Sequence, residues 1–140
     1  MFLILAIGQV RSSRMSQNSS IALYDAATLK YARKSVPVRS RDGGADVTVV
    51  AYSPDGGTVA IGVKLHSGKG PLNRVLLYDA KTLELGEHLL PDSDTAPITS
   101  LAFSPDGRTL IAATGQGPFT EAQKKEILHR VLIWRGVPAK

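Results

Sequence analysis

The chain has 140 residues, 43% of them hydrophobic, which is enough for one domain with its own core. It contains no cysteine, which excludes disulfides, thiolate metal sites and a cysteine nucleophile. The formal net charge is +5, and the excess lies near the start, where residues 1–41 hold seven basic side chains and one acidic side chain.

The chain opens with the apolar segment MFLILAIG at residues 1–8. No basic residue precedes this segment, and QVRSSRM follows it instead of the small residues of a cleavage site, so we predict a β-strand and not a signal peptide. No other apolar run approaches the roughly 20 residues that a membrane-spanning helix needs. We therefore expect no membrane association and a cytoplasmic protein.

Several short segments recur along the chain. The recurring pairs are AIG at 6–8 and 60–62, ALYDAATL at 22–29 and LLYDAKTL at 76–83, SPDG at 53–56 and 104–107, and VLLYD at 75–79 and VLIWR at 131–135. The first two pairs share a spacing of 54 residues. A period of this length without a long helical pattern is typical of all-β arrays such as propellers.

Each SPDG segment is predicted to be a hairpin turn. Pro54 fixes its own φ, Asp55 can accept bonds from nearby backbone N–H groups, and Gly56 can adopt a positive φ. The second copy assigns the same roles to Pro105, Asp106 and Gly107. The returning strands, TVAIGV and TLIAAT, are apolar on both faces, which indicates sheets that lie between other sheets.

We expect four strands in each unit: a weak first strand, ARKSVPV or GEHLL, the two strands of the SPDG hairpin, and an LLYD-type strand. This places half a unit in residues 1–29 and whole units in 30–83 and 84–140 of a single domain, 1–140. Because the sequence begins in the middle of a unit, the pattern favours a piece of a longer array. The alternative is a chain that assembles with itself or with a partner.

On these residues the chain resembles the WD-repeat (WD40) family of β-propellers, and ITSLAFSPDGRTLIAATG carries the strongest likeness. Trp134 stands at the position of the family's closing Trp, with Tyr24 and Tyr78 at the equivalent positions. The repeats are degenerate, since SDTAP and DGGAD replace the family's Gly-His and Arg135 replaces its Asp. The resemblance implies antiparallel four-stranded blades in an incomplete ring of about two and a half blades. It also implies a non-enzymatic protein–protein interaction scaffold without a cofactor.

The segments 63–74 and 114–130 are predicted to be loops longer than the usual hairpin connection, which makes them candidates for function. In the second loop, Thr120 and Gln123 fit a capping box, which predicts a short helix through EAQKKEILHR.

No residue pattern predicts a catalytic, metal or cofactor site. The segment GVKLHSGKG fails as a phosphate loop, because five residues separate Gly62 from Gly68 and Gly70 replaces the required Ser or Thr. The histidines, at positions 66, 88 and 129, are too scattered for paired metal ligands. Asp25 and Asp79 are predicted to form Asx turns. A fragment of a propeller enzyme or ligand-binding propeller remains an alternative.

A basic cluster on or beside the weak strand is the candidate interaction surface: Arg33, Lys34, Arg39 and Arg41. These side chains suit a nucleic acid, another polyanion or an acidic protein surface. They equally suit edge protection, because charges on outer strands prevent pairing with foreign strands. Without interleaved aromatic residues, the pattern favours an unidentified protein partner, or self-association through blade faces, over nucleic acid.

Overall fold

The computed structural model describes residues 2–12, 16–25, 27–38, 44–65, 72–89, 96–115 and 130–137. The strands in these ranges are β1 (Phe2–Ser12), β2 (Ser16–Asp25), β3 (Tyr31–Pro37), β4 (Ala45–Tyr52), β5 (Thr58–Leu65), β6 (Leu72–Asp79), β7 (Leu85–Leu89), β8 (Ile98–Phe103), β9 (Thr109–Thr114) and β10 (Val131–Arg135). The predicted all-β class is confirmed, and the segment after Met1 is a strand as expected. The described residues include no helix of the length and apolarity that a membrane crossing requires.

Consecutive strands pair antiparallel within three meanders. The first meander is β1–β2–β3, the second is β4–β5–β6–β7, and the third is β8–β9–β10. A single parallel residue pair, Asn18 with Ala45, joins the first meander to the second in one seven-stranded sheet. By contrast, the β5–β6 ladder runs without interruption from Thr58 opposite Asp79 to Leu65 opposite Leu72.

The two weak strands were predicted to open their units, and this grouping is wrong. ARKSVPV, in β3, pairs with the preceding β2, and GEHLL, in β7, pairs with the preceding β6. Tight turns explain both pairings: the Leu29 N–H donates to the Asp25 carbonyl, and the Leu83 N–H donates to the Asp79 carbonyl, each at 2.8 Å. Such short connections place each weak strand antiparallel to the strand before it. The hydrogen-bonded sheets are therefore offset by one strand from the sequence units.

The predicted loop at 63–74 is shorter than expected. β5 continues to Leu65 and β6 begins at Leu72, with Lys64 opposite Asn73, so both sides of the expected loop belong to the ladder. Polar side chains such as Lys64 are compatible with a strand end near the sheet margin, where the strand is only half-buried. The remaining connection, 66–71, and the predicted helix at 121–130 except Arg130 lie outside the described residues.

The second meander is packed on both faces because its side chains alternate. On β5, Val59 and Ile61 belong to one hydrophobic cluster, and Ala60 belongs to the other. Cluster 1 comprises Ile21, Val38, Ala45, Val59, Ile61, Val63, Leu76, Tyr78, Ala80 and Leu83. Cluster 2 comprises Ala60, Val75, Leu77, Ile98, Leu101, Leu110, Ala112 and Val137. The second meander is thus sandwiched between the first and the third, as the doubly apolar strands predict.

Polar bonds hold the second meander to both neighbours. The Ser19 side chain of β2 accepts the Val47 N–H at 3.1 Å. On the other side, the Thr48 hydroxyl lies 2.6 Å from the Ile98 carbonyl oxygen and 3.1 Å from the Gly62 carbonyl oxygen, so the two acceptors share its single hydrogen. Gly62 permits this close approach, because a Cβ there would lie 2.7 Å from Val49 Cγ1 and 3.1 Å from Ile98 Cγ2.

Candidate interaction surface

The SPDG residues build the hairpin turns between paired strands. The Ser53 hydroxyl donates to the Asp55 carboxylate, which also accepts the Gly57 N–H at 2.9 Å, while Ser53 Oγ accepts the Thr58 N–H at 2.9 Å. Gly56 takes a φ of 73° and donates its N–H to the Ser53 carbonyl. The bond from Ser53, followed by that from Gly57, holds the pKa of Asp55 below its ordinary value.

The second copy repeats this geometry. Ser104 donates to Asp106, Asp106 accepts the Arg108 N–H at 3.0 Å, and Gly107 has a φ of 72°. The Ser104 bond lowers the pKa of Asp106 in the same way. Pro54 and Pro105 lie exposed at the start of the turns. Since Oδ1 of each aspartate accepts two bonds within its own turn, these residues stabilise the hairpins.

Asp25 and Asp79 form the second kind of turn. Asp25 Oδ1 accepts the N–H groups of Ala27 at 3.0 Å and Thr28 at 2.8 Å, and the Thr28 bonds are the main cause of its lowered pKa. In the second of these turns, Asp79 Oδ1 likewise accepts two backbone N–H groups of its own turn, at 2.8 and 3.0 Å. Each turn ends at a leucine with positive φ, Leu29 at 55° and Leu83 at 58°.

The three aromatic residues that the WD-repeat resemblance places at equivalent positions lie in different surroundings. Tyr78 is buried in cluster 1, and this burial raises its pKa. Trp134 is half-buried and packs against cluster 2. Tyr24 is also half-buried and makes an edge-to-face contact with Tyr31, with ring centroids 5.7 Å apart. Tyr78 and Trp134 therefore pack in the clusters between meanders, whereas the ring contact of Tyr24 lies within the first meander.

The predicted basic cluster cannot be assembled from the described side chains. Arg33 and Lys34 lie on β3, where the backbone alone is described, and Arg39 and Arg41 lie outside the described residues. Their role in binding stays a prediction. Within the described ranges, no group of three His, Asp or Glu side chains is placed to hold a metal ion.

An exposed apolar face on the third meander is the strongest candidate site. Across the sheet, Ala102 lies opposite Ile111, which lies opposite Ile133. Val131 lies two pairs along the β9–β10 ladder and therefore on the same face. The exposed fractions of these side chains are 41% for Ile111, 67% for Val131 and 54% for Ile133. We call Ala102, Ile111, Val131 and Ile133 the outer face.

The equivalent face of the second meander is buried. Val75 and Leu77 are the counterparts of Val131 and Ile133, and they are 0% and 3% exposed within cluster 2. The second meander thus buries the same face against the third meander. The alignment of VLLYD with VLIWR contains this signal, but a sequence alone does not show which copy of the face is exposed.

The first meander shows the same kind of difference on the opposite side of the repeat. Leu83 is 4% exposed within cluster 1, whereas its counterpart Leu29 is 70% exposed. The counterpart of buried Tyr78 is half-buried Tyr24. We call the side of the first meander that carries Tyr24 and Leu29 the Leu29 face.

Comparison with known proteins matches the chain to no family model and to no curated protein.

Proposed function

We propose that the chain is a non-enzymatic protein–protein interaction module, built as a WD-repeat-like segment of a β-propeller. Successive antiparallel meanders stacked face to face are the arrangement of propeller blades, and they support this proposal. The second meander, β4–β7, supplies the four strands of one blade, and the SPDG hairpin links its first two strands. The engaged turn carboxylates support a structural role for the residues that carry the family resemblance.

The exposure of the outer face is the observation that carries the proposal. Fully burying a large aliphatic side chain stabilises by about 1.5–3 kcal/mol. Given the exposed fractions of Ile111, Val131 and Ile133, covering this face would contribute about 2–5 kcal/mol. Contiguous apolar surface of this kind marks sites of protein association. The outer face is therefore the surface through which the chain binds a partner sheet.

Thiol labelling of single-cysteine variants tests whether the outer face is free, because the chain has no cysteine of its own. Val131→Cys and Val75→Cys are a matched pair, since the two valines are repeat counterparts that are 67% and 0% exposed. In dilute protein, we expect Val131→Cys to react rapidly with dithiobis(nitrobenzoate) and Val75→Cys to react only on unfolding. Slow reaction of both variants, in a sample that light scattering shows to be single chains, would contradict the proposal.

A further inference from the structure

We infer that the partner sheet is a second copy of this chain, docked head to tail, with the outer face of one copy against the Leu29 face of the next. This inference rests on the proposed function, because it names the partner of the same outer face. It also assigns a role to the Leu29 face, which the proposed function leaves unused.

Both internal interfaces join two different kinds of face. In cluster 1, Ile21 of the first meander packs with Ile61 and Leu83 of the second. In cluster 2, Val75 and Leu77 of the second meander pack with Ile98 and Leu110 of the third. Ile21 and Val75 are repeat counterparts, as are Val59 in cluster 1 and Leu110 in cluster 2. Each interface therefore repeats the same heterologous contact one meander further along.

The outer face and the partly exposed Leu29 face are the two halves of one more such contact. The outer face carries the counterparts of Val75 and Leu77, which line one side of cluster 2. The Leu29 face carries the counterparts of Tyr78 and Leu83, which line the opposite side of cluster 1. The described residues thus present both complementary surfaces, one on the third meander and one on the first. A second copy of the chain supplies the complementary half for each.

The size of a propeller is consistent with this partner. Rings are built from about 4 to 8 blades, and two copies of this chain bring together six meanders. Heterologous contacts close into a ring when the rotation between copies permits it and otherwise continue as an open chain. Either product is a head-to-tail assembly, and both depend on the same pair of faces.

Complementation between two variants tests the head-to-tail contact. Ile133→Lys places a charge on the outer face, and Leu29→Glu places one on the Leu29 face. Both side chains are largely exposed, so we expect both variants to keep the fold, which circular dichroism checks. Lys30→Glu is the control, because it changes the charge beside Leu29 but keeps the leucine.

Light scattering behind size exclusion, over a range of concentrations, gives the readout. We expect the wild type and Lys30→Glu to assemble with rising concentration, and each face variant alone to remain a single chain. An equimolar mixture of the two face variants should form a two-chain complex, because one intact outer face and one intact Leu29 face remain.

Three results would overturn the inference. The first is a wild type that stays a single chain at every concentration, and the second is a mixture of the two face variants that forms no complex. The third is a Leu29→Glu variant that assembles while Ile133→Lys remains a single chain. The last result would indicate that two outer faces pair with each other. Thiol labelling separates this failure from that of the proposed function. If Val131→Cys is labelled rapidly in a protein that stays a single chain, the outer face is free and binds a different partner. If the thiol of Val131→Cys is protected in single chains, both proposals are wrong.

Discussion

The close contact at Gly62 makes the junction between the second and third meanders sensitive to a single methyl group. In Gly62→Ala, the new Cβ would lie 2.7 Å from Val49 Cγ1 and 3.1 Å from both Ile98 Cγ2 and Thr48 Oγ1. Overpacking of this kind costs about 1–3 kcal/mol. Moving Thr48 would also weaken its 2.6 Å bond to the Ile98 carbonyl, at a further cost of about 1 kcal/mol.

A smaller gain opposes this loss, because alanine has less backbone freedom than glycine in the unfolded chain and is favoured in strands by about 0.5–1 kcal/mol. We therefore expect Gly62→Ala to lower the free energy of unfolding by about 1–3 kcal/mol.

Urea denaturation monitored by circular dichroism measures this change, at one fixed protein concentration because assembly would shift the apparent stability. Gly86→Ala is the matched control, since its Cβ would meet the Leu77 carbonyl oxygen at an ordinary 3.4 Å. We expect the control to be more stable than the wild type by about 0.5–1 kcal/mol, because it has the backbone gain without the close contact. A Gly62→Ala variant that equals or exceeds the wild type in stability would refute the close packing of the two meanders.

Two further predictions concern the turns. Leu83→Ala removes a buried side chain of cluster 1 and should lower the unfolding free energy by about 2–4 kcal/mol. Leu29→Ala, at the exposed counterpart, should change the unfolding free energy of single chains by less than about 0.5 kcal/mol. Equal urea midpoints for the two variants would contradict the difference in burial. Folding lowers the pKa values of Asp55 and Asp106, so protonation favours the unfolded chain, and stability should fall as the pH drops below the ordinary value of 3.8. The double variant Asp55→Asn/Asp106→Asn should lose less melting temperature between pH 6 and pH 3 than the wild type, and an identical loss would count against the carboxylate bonds.

The local features of the fold were predictable because they depend on neighbouring residues. Ser-Pro-Asp-Gly carries its own turn chemistry, and the structure places a glycine with φ 73° where the turn requires one. The doubly apolar strand TVAIGV likewise predicts a sheet with two neighbours, and the alternation of Val59 and Ala60 between two clusters shows why.

The grouping of strands into sheets was not predictable from the same signals. It depends on the turns DAATL and DAKTL, which end at leucines with positive φ, a backbone conformation that residues with a Cβ rarely adopt. A sequence pattern gives no reason to expect a leucine there. In Leu83, burial in cluster 1 explains the choice of residue, whereas Leu29 carries the same conformation at an exposed site.

The candidate site depends on long-range packing, which explains why the sequence predicted association through blade faces but did not identify the residues of the exposed face. Charge is visible in a sequence, so the cluster around Arg33 and Lys34 stood out, whereas Val131 and Ile133 look like ordinary core residues of a strand. Only the arrangement of the three meanders distinguishes the buried copy of this face from the exposed one.

The solution mass of the purified chain, measured by light scattering at increasing concentration with Ile133→Lys alongside, tests the central claim most directly. If the exposed faces are mating surfaces, the wild type will rise above 14.9 kDa towards a discrete or extended assembly, and Ile133→Lys will stay at the mass of one chain. A wild type that unfolds cooperatively and remains at 14.9 kDa throughout, indistinguishable from Ile133→Lys, would contradict the claim that these faces associate with another copy of the chain.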